Sequence, residues 1–324
     1  MRTFKKWTMT LLGAAVLGAA ATAGAAYPDQ PVRVILPYAP GAAGDIIFRM
    51  IQPELSRELG QTVITDYKTG AGGNIGTQMV ARAKPDGYTL LFSATNNFVI
   101  NQFLYKKMGY DPLKDLHVIN KVADAAAFVY VNAQVPVQTM AQFRDYVQKH
   151  RGQVNYGTPG AGTTPDLSGW MLSDALDGDM LGIQYRGSAP GVQALIANEV
   201  QMFIGGYGLG AAFLPEGKIR ALAVALPQRF PALPDVPTID ELGYKDVVVS
   251  NWWALAAPAG TDAAVVDKVE QALDKVLADP VIRDKLMAQG YVVSTAPASQ
   301  FRAGLQAEAG YWQGVVNKAG ISIE

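Results

Sequence analysis

Tyr38-Ala39-Pro40-Gly41-Ala42-Ala43-Gly44-Asp45 follows the apolar run Val32-Arg33-Val34-Ile35-Leu36-Pro37 and precedes a helical pattern. A buried strand that ends in a glycine-bearing turn and runs into a helix start brings unpaired backbone N–H groups and the positive end of a helix dipole to one point. Such a point attracts an anion. More than a hundred residues later the arrangement recurs: Gln153-Val154-Asn155 leads into Tyr156-Gly157-Thr158-Pro159-Gly160-Ala161-Gly162-Thr163-Thr164, which opens another helical pattern. The expectation is that the two loops face each other across a cleft and hold a carboxylate.

Outward from the first loop, strand and helix alternate. Helical spacing of Ile46, Ile47, Met50, Ile51, Leu55 and Leu59 predicts a helix from Asp45 to Leu59, ended by Gly60. Strands are predicted at Thr62 to Tyr67 and Tyr88 to Ala94, with a short helix from Ile75 to Ala83 between them. This alternation marks a parallel sheet with helices on its faces. Two apolar runs, Val118 to Ala123 and Ala126 to Val131, read as strands carrying the chain into a second lobe, where the alternation resumes around the second glycine loop. Pro227, Pro231, Pro234 and Pro237 mark a rigid connector, after which Val247 to Val249 and Trp252 to Ala257 read as returning strands. The C-terminal part is helical. The predicted fold class is α/β, two lobes each built on a sheet flanked by helices, joined by more than one crossing and closing by a hinge. Domain I is expected to comprise residues 26–124 and 250–324, and domain II residues 125–249.

The bulk composition narrows the chemistry. At 324 residues, 49% hydrophobic and 17% charged, the chain is globular and long enough for two domains. Arg2, Lys5 and Lys6, an apolar stretch from Trp7 to Ala23, and Ala23-Gly24-Ala25 read as a signal peptide over residues 1–25, with a mature chain starting near Ala26 or Tyr27. Removing those three basic residues from 27 leaves 24 against 28 acidic ones, a balance that disfavours nucleic acid and anionic membrane as partners. The absence of cysteine excludes disulfides, thiolate chemistry and a lipid-bearing cysteine near the cleavage point. His117 and His150 lie far apart without nearby carboxylate patterns, so no metal site is expected. There is no G-x-S-x-G elbow, and Thr163 stands where a phosphate loop needs lysine, which disfavours both nucleophilic hydrolysis and nucleotide hydrolysis. No cofactor is expected. In the adjacent pair Trp252-Trp253 the side chains point to opposite faces of a strand, leaving one for the core and the other for the cleft or the crossing between lobes.

With these residues assembled, the chain resembles the substrate-binding proteins of tripartite tricarboxylate transporters, the Bug family. The resemblance runs through Tyr27 to Asp45, Gly70 to Leu91, Leu104 to Asp115, Gly157 to Thr164, Gln184 to Ile196, Gly217 to Val224, Phe230 to Gly243 and Ala257 to Thr261. It implies a two-lobed periplasmic binding protein fold of the type II class, with a mixed sheet in each lobe and a hinge, and a periplasmic receptor, not an enzyme, that grips a ligand carboxylate largely through backbone groups and delivers it to a membrane permease. Carried over by position, the first loop contributes Tyr38, Ala42, Ala43 and Asp45, and the second Gly160, Thr163 and Thr164. Ser93 and Asn96 at the end of the third strand, with Tyr185 and Arg186, would flank the pocket. The family often has His and Glu where this chain has Asp166 and Trp170, and an acidic residue where Gly205-Gly206-Tyr207 stands. Gly205 and Tyr207 therefore point to a carboxylate ligand without an amino group, aromatic or dicarboxylic. The implied partners are that ligand and an integral-membrane permease; a monomer is expected. Two rival readings share the pocket: a ligand-loaded sensor for a signalling partner, and an exported enzyme acting on organic acids, which would not return its ligand unchanged.

Overall fold

The computed structural model describes residues 27–244, 247 and 251–323. The expected signal peptide, Ala26 and Val248-Val249 of one expected strand lie outside the described residues; Val247 sits in a turn.

Two mixed sheets organise the chain. The first contains β1 (Val32–Leu36), β2 (Val63–Tyr67), β3 (Thr89–Ala94), β4 (Leu116–Ala125), β10 (Asn251–Pro258) and β11 (Tyr291–Val293), in the order β11-β4-β10-β3-β1-β2. The second contains β5 (Ala127–Asn132), β6 (Asn155–Thr158), β7 (Leu181–Gln184), β8 (Met202–Gly206) and β9 (Ile219–Ala225), in the order β7-β6-β8-β5-β9. Strand β1 pairs in parallel with β2 and β3, and β6 with β7 and β8. The chain passes from the first sheet to the second at Ala126, between β4 and β5, and returns through β10, which runs antiparallel to both β3 and β4. Because parallel strands end on the same side, the loops after β1 and β3 emerge at one edge of the first sheet and the loops after β6 and β8 at one edge of the second.

The helices α1 (Ala43–Leu59), α2 (Asn74–Ala81), α3 (Asn101–Leu104), α4 (Met140–Lys149), α5 (Thr164–Ala175), α6 (Ser188–Ile196), α7 (Tyr207–Gly210), α8 (Ala263–Ala278), α9 (Pro280–Ala288) and α10 (Ala298–Ala319) cover the sheets. Helix α1 begins two residues before the expected start and ends at Gly60, whose left-handed backbone (φ 71°) turns its own N–H to the Arg57 carbonyl and the N–H of Gln61 to that of Ser56. Its apolar stripe, Ile47, Phe48, Ile51 and Leu55, is fully buried against β1, β3 and α8. One packing feature crosses between the sheets. Leu167 and Met171 of α5, which follows β6, are buried in the same cluster as Trp312, Leu305 and Ala309 of α10, which packs on the first sheet. Among the described residues no helix is long and apolar enough to cross a membrane.

The tryptophan pair departs from expectation. Trp253 packs on one face of β10 between Phe92 and Tyr38, and Trp252 on the other between Phe98 and Phe301, donating its indole N–H to Glu308 at 2.8 Å. Both are almost fully buried, so neither lines a cleft. The first sheet is covered by helices on both faces, which turns both sides of this strand into core.

Candidate functional site

The two glycine corners are built alike. Gly41 has φ 81° and Gly162 φ 71°, a left-handed backbone that favours glycine. The next residue caps the helix in an extended conformation: Ala42 at φ −71°, ψ 164°, and Thr163 at φ −71°, ψ 155°, neither supplying a side-chain cap. The third helical residue is an aspartate in both, and its carboxylate turns back to the glycine. Gly41 N–H donates to Asp45 Oδ2 at 2.7 Å and Gly162 N–H to Asp166 Oδ2 at 2.9 Å. The first i→i−4 bonds are Ile46 to Ala42 and Leu167 to Thr163. The amides ahead of them, those of Ala43, Gly44 and Asp45 in one corner and of Thr164 and Asp166 in the other, have no intrahelical acceptor, Pro165 having no N–H to offer. Two helix starts of one geometry thus present donors at the strand ends of the two sheets.

Asp45 holds the first corner rather than facing a ligand. It is 3% exposed; besides Gly41 it accepts from Arg49 Nε at 2.7 Å and Tyr67 OH at 2.5 Å. Burial alone would raise its pKa, but the hydrogen bonds from Tyr67, Gly41 and Arg49 outweigh burial and hold the carboxyl below its usual value. Asp166, 4% exposed, accepts from Gln184 Nε2 at 3.0 Å and has no cation in that role.

Beneath the first corner lies a buried amide network. Asn97 Oδ1 accepts from Tyr38 OH and from Ser93 Oγ, each at 2.7 Å, while Asn97 Nδ2 donates to Gly72 O and Asn74 Oδ1 at 3.2 Å. Asn101 and Tyr110 donate to Asn74 Oδ1 at 2.7 and 3.1 Å. This network ties the loops after β1, β2 and β3 together. Burial pushes the Tyr38 hydroxyl pKa up, so it remains a neutral donor. Ser93 is fully buried and directed to Asn97, which places it under the corner and not on the surface of a pocket. Trp253 supports the same corner: a Cβ on Gly44 would lie 2.3 Å from its Cζ3. Only glycine lets the helix start rest on that ring.

The second corner is held by its own hydroxyls and by the first lobe. Thr163 Oγ1 donates to Gly160 O at 2.7 Å, and Gly160 N–H donates to Thr158 Oγ1 at 3.3 Å. Asn96, in the π turn Asn96–Ile100 that follows β3, donates from Nδ2 to Gly162 O at 3.3 Å and accepts from Thr164 Oγ1 at 3.1 Å. Thr164 and Asn96 are therefore brought together, but their side chains engage each other. A Cβ on Gly162 would meet Leu104 and Ile323 of the first lobe at 2.8 and 2.9 Å, so the two corners belong to closely apposed surfaces.

The remaining expected residues divide. Tyr185 N–H bonds Thr158 O at 2.8 Å and Gly187 N–H bonds Pro159 O at 3.1 Å, which sets Tyr185 and the exposed Arg186 beside the second corner. Gly205 is buried with no room for a side chain, its Cβ position lying 2.7 Å from Phe203. Tyr207 is drawn into a cluster with Phe230 (4.8 Å between ring centroids) and Phe128 (6.1 Å), against Gly290 of the first lobe. It packs at the crossing between lobes and does not form the free aromatic wall expected of it. Asp166, Asn97 and Gly44 were not among the expected site residues; the shared spacing Gly-x-x-x-Asp, Gly41 to Asp45 and Gly162 to Asp166, was the signal that could have found the first. Among the described residues no group of three or more His, Cys, Asp or Glu could hold a metal ion.

Comparison with known proteins agrees with this architecture. A protein from Agrobacterium vitis, described as a UPF0065 protein in the TAR-I ttuE-ttuC' intergenic region, is 32% identical over 295 residues, 91% of this chain and 84% of that one. The structure of periplasmic binding protein BugD superposes with a TM-score of 0.77 at 34% identity, covering 92% of this chain and all of BugD. Rhodopseudomonas palustris Rpa4515 with adipate gives 0.80 at 28% identity (91% and 99% covered), and MatC from the same organism with bound malate gives 0.76 at 29% (90% and 100%). The profile of the tripartite tricarboxylate transporter family receptor matches residues 47–321, and the chain belongs to that family.

Proposed function

We propose that this protein is a periplasmic receptor that captures a carboxylated organic acid between its lobes and delivers it to a permease of the tripartite tricarboxylate type. The observation that carries the reading is the matched pair of corners: the same left-handed glycine, extended cap and aspartate tie recur at Gly41–Asp45 and Gly162–Asp166, and both leave first-turn amides to an anion. Solved relatives hold adipate and malate, which favours a carboxylate as the ligand class. The ligand head is held by the amides of Ala43, Gly44 and Thr164, with Ala42, Gly160 and Thr163 shaping the corners. Tyr38, Asp45 and Ser93 act from beneath, and Tyr185 and Arg186 flank the opening. An aliphatic dicarboxylate is the finer reading, because the aromatic wall once expected from Tyr207 is turned into the Phe128–Phe230 cluster. Domain I comprises residues 26–124 and 250–324 and domain II residues 125–249; the chain is exported with residues 1–25 removed and works as a monomer without catalysis.

Charge-assisted hydrogen bonds contribute about 1.5–3 kcal/mol each, and micromolar binding corresponds to about −8 kcal/mol, so three amides on one carboxylate suffice with modest apolar burial. A thermal-shift screen of mono-, di- and aromatic carboxylates tests the reading, since a ligand at about 100 times its dissociation constant adds about 2.7 kcal/mol of apparent stability. A rise in Tm with dicarboxylates and none with glutamate or aspartate is expected. Tight binding of acidic amino acids alone would overturn the ligand class.

A further inference from the structure

We propose that Asn96 is a clasp that positions the second corner over the first, and that its side chain and the Thr164 hydroxyl act on each other rather than on the ligand, leaving the Thr164 backbone N–H to the carboxylate. The fork of the Asn96 amide spans two points of the opposite loop: Nδ2 reaches Gly162 O at 3.3 Å, and Oδ1 accepts from Thr164 Oγ1 at 3.1 Å. A primary amide is the side chain suited to this, with one donor edge and one acceptor edge in a fixed plane. Thr164 is 2% exposed, so its hydroxyl hydrogen is committed to that bond. The backbone on both sides is held independently. Asn96 stands at the head of a π turn, a local irregularity associated with functional positions, immediately before Asn97, the hub of the buried amide network. Across the gap, Gly162 is fixed by Asp166 through its own N–H, leaving its carbonyl for Asn96.

The clasp has apolar and ionic company along the same pair of elements. Gly162 seats on Leu104 and Ile323; further along α5, Lys318 of α10 pairs with Asp174 at 2.6 Å and Tyr311 meets Met171 Sδ at 3.8 Å. The last two contacts bring α5 to α10 and Leu104 and Ile323 give Gly162 an apolar seat, whereas Asn96 makes directional hydrogen bonds to the corner itself. Its loss would leave the lobes able to approach but the two sets of amides out of register. The chemical consequence is that closure, not direct contact, is what Asn96 contributes to affinity, and that it does so without regard to the shape of the acid. This purpose rests on the receptor reading above; the test does not.

The chain contains no cysteine, so single cysteines introduced at exposed Lys149 on α4 and exposed Gln271 on α8 accept spin labels uniquely. Pulsed dipolar EPR on the ligand-free protein then reads the distance between lobes. The parent should give one dominant distance. Asn96→Ala and the near-isosteric Thr164→Val should each shift it to longer, broader distributions, and the double variant should shift it no further than the single ones. Superimposable distributions in all four proteins, or a double variant whose shift equals both single shifts combined, would overturn the clasp; circular dichroism identifies any variant that has not folded, and Thr164→Val, which keeps the side-chain volume, then carries the decision. Calorimetry with adipate and malate supplies the second readout: Asn96→Ala should weaken both by the same factor, about tenfold, through faster release. Unequal losses would make Asn96 a ligand contact and overturn the proposal. If neither acid binds the parent protein, the receptor reading for these ligands fails while the distance measurement still decides the clasp.

Discussion

Gly44→Ala places one methyl group where the account says none fits. Gly44 is the second residue of α1 with helical backbone, so alanine costs nothing in φ and would ordinarily favour the helix by about 0.5–1 kcal/mol. The added Cβ, however, would stand 2.3 Å from Trp253 Cζ3, 2.8 Å from Cη2 and 3.1 Å from Cε3. Ordinary carbon contacts lie near 3.5–4.0 Å, so ring or helix start must yield by roughly 1 Å. The ring is held by Phe92, stacked at 5.7 Å, and by Tyr38, edge-on at 5.5 Å, and it is 3% exposed. The helix start therefore moves. Overpacking of this kind costs about 1–3 kcal/mol, which for a chain of this size lowers Tm by several degrees. The same movement carries the Ala43 and Gly44 amides off the ligand; losing one charge-assisted bond of about 1.5–3 kcal/mol weakens binding by about tenfold to a hundredfold. Differential scanning calorimetry and isothermal titration with adipate measure both effects. Gly304→Ala, in α10 with open space around its Cβ position, is the control and should raise Tm slightly. A Gly44→Ala protein with the parent's Tm and affinity would refute the reasoning that the Trp253 ring sets the position of the corner.

Three further outcomes are expected. Asn97→Ala removes the shared acceptor of Tyr38 OH and Ser93 Oγ and leaves buried hydroxyls without a partner, so urea denaturation should show a loss of about 2 kcal/mol or more. Thr163→Ala frees the Gly160 carbonyl at the second corner and should weaken adipate binding about tenfold by calorimetry with Tm nearly unchanged. Glu308 is pushed above its ordinary carboxyl range by burial, although the Trp252 and Trp312 indoles beside it act the other way. A raised folded-state pKa means that its charged form opposes folding above that pKa and that the opposition vanishes as acid protonates it. Glu308→Gln, which keeps an acceptor for Trp252, should therefore raise Tm near neutral pH and match the parent below about pH 4.

Most of the architecture was legible because it is written in local periodicity. The end of α1 at Gly60, the strand β3 up to Ala94 and both glycine corners follow from strand and helix patterns with their stop signals. Strand β11 was not, since three residues directly after Gly290 carry too short a pattern and owe their strand to pairing with β4. The same limit hid the π turn at Asn96–Ile100. For the site, the corners were readable, but which side chains face outward was not. Ser93 and Asp45 have the composition of ligand-binding residues and are instead claimed by Asn97, Arg49 and Tyr67, partners one loop or one turn away. Tyr207 was placed by Phe128 and Phe230, neighbours distant in sequence that no local pattern names. Asn96 and Thr164, 68 residues apart, meet only because the two sheets bring their loops together.

The most direct test of the central claim is a titration of the amide-resolved ¹⁵N–¹H spectrum with a dicarboxylate such as adipate. If both glycine-bearing helix starts hold one carboxylate, the amide signals of Ala43, Gly44 and Thr164 move downfield together and fit a single dissociation constant. Movement confined to one corner, or downfield shifts in neither, would contradict it.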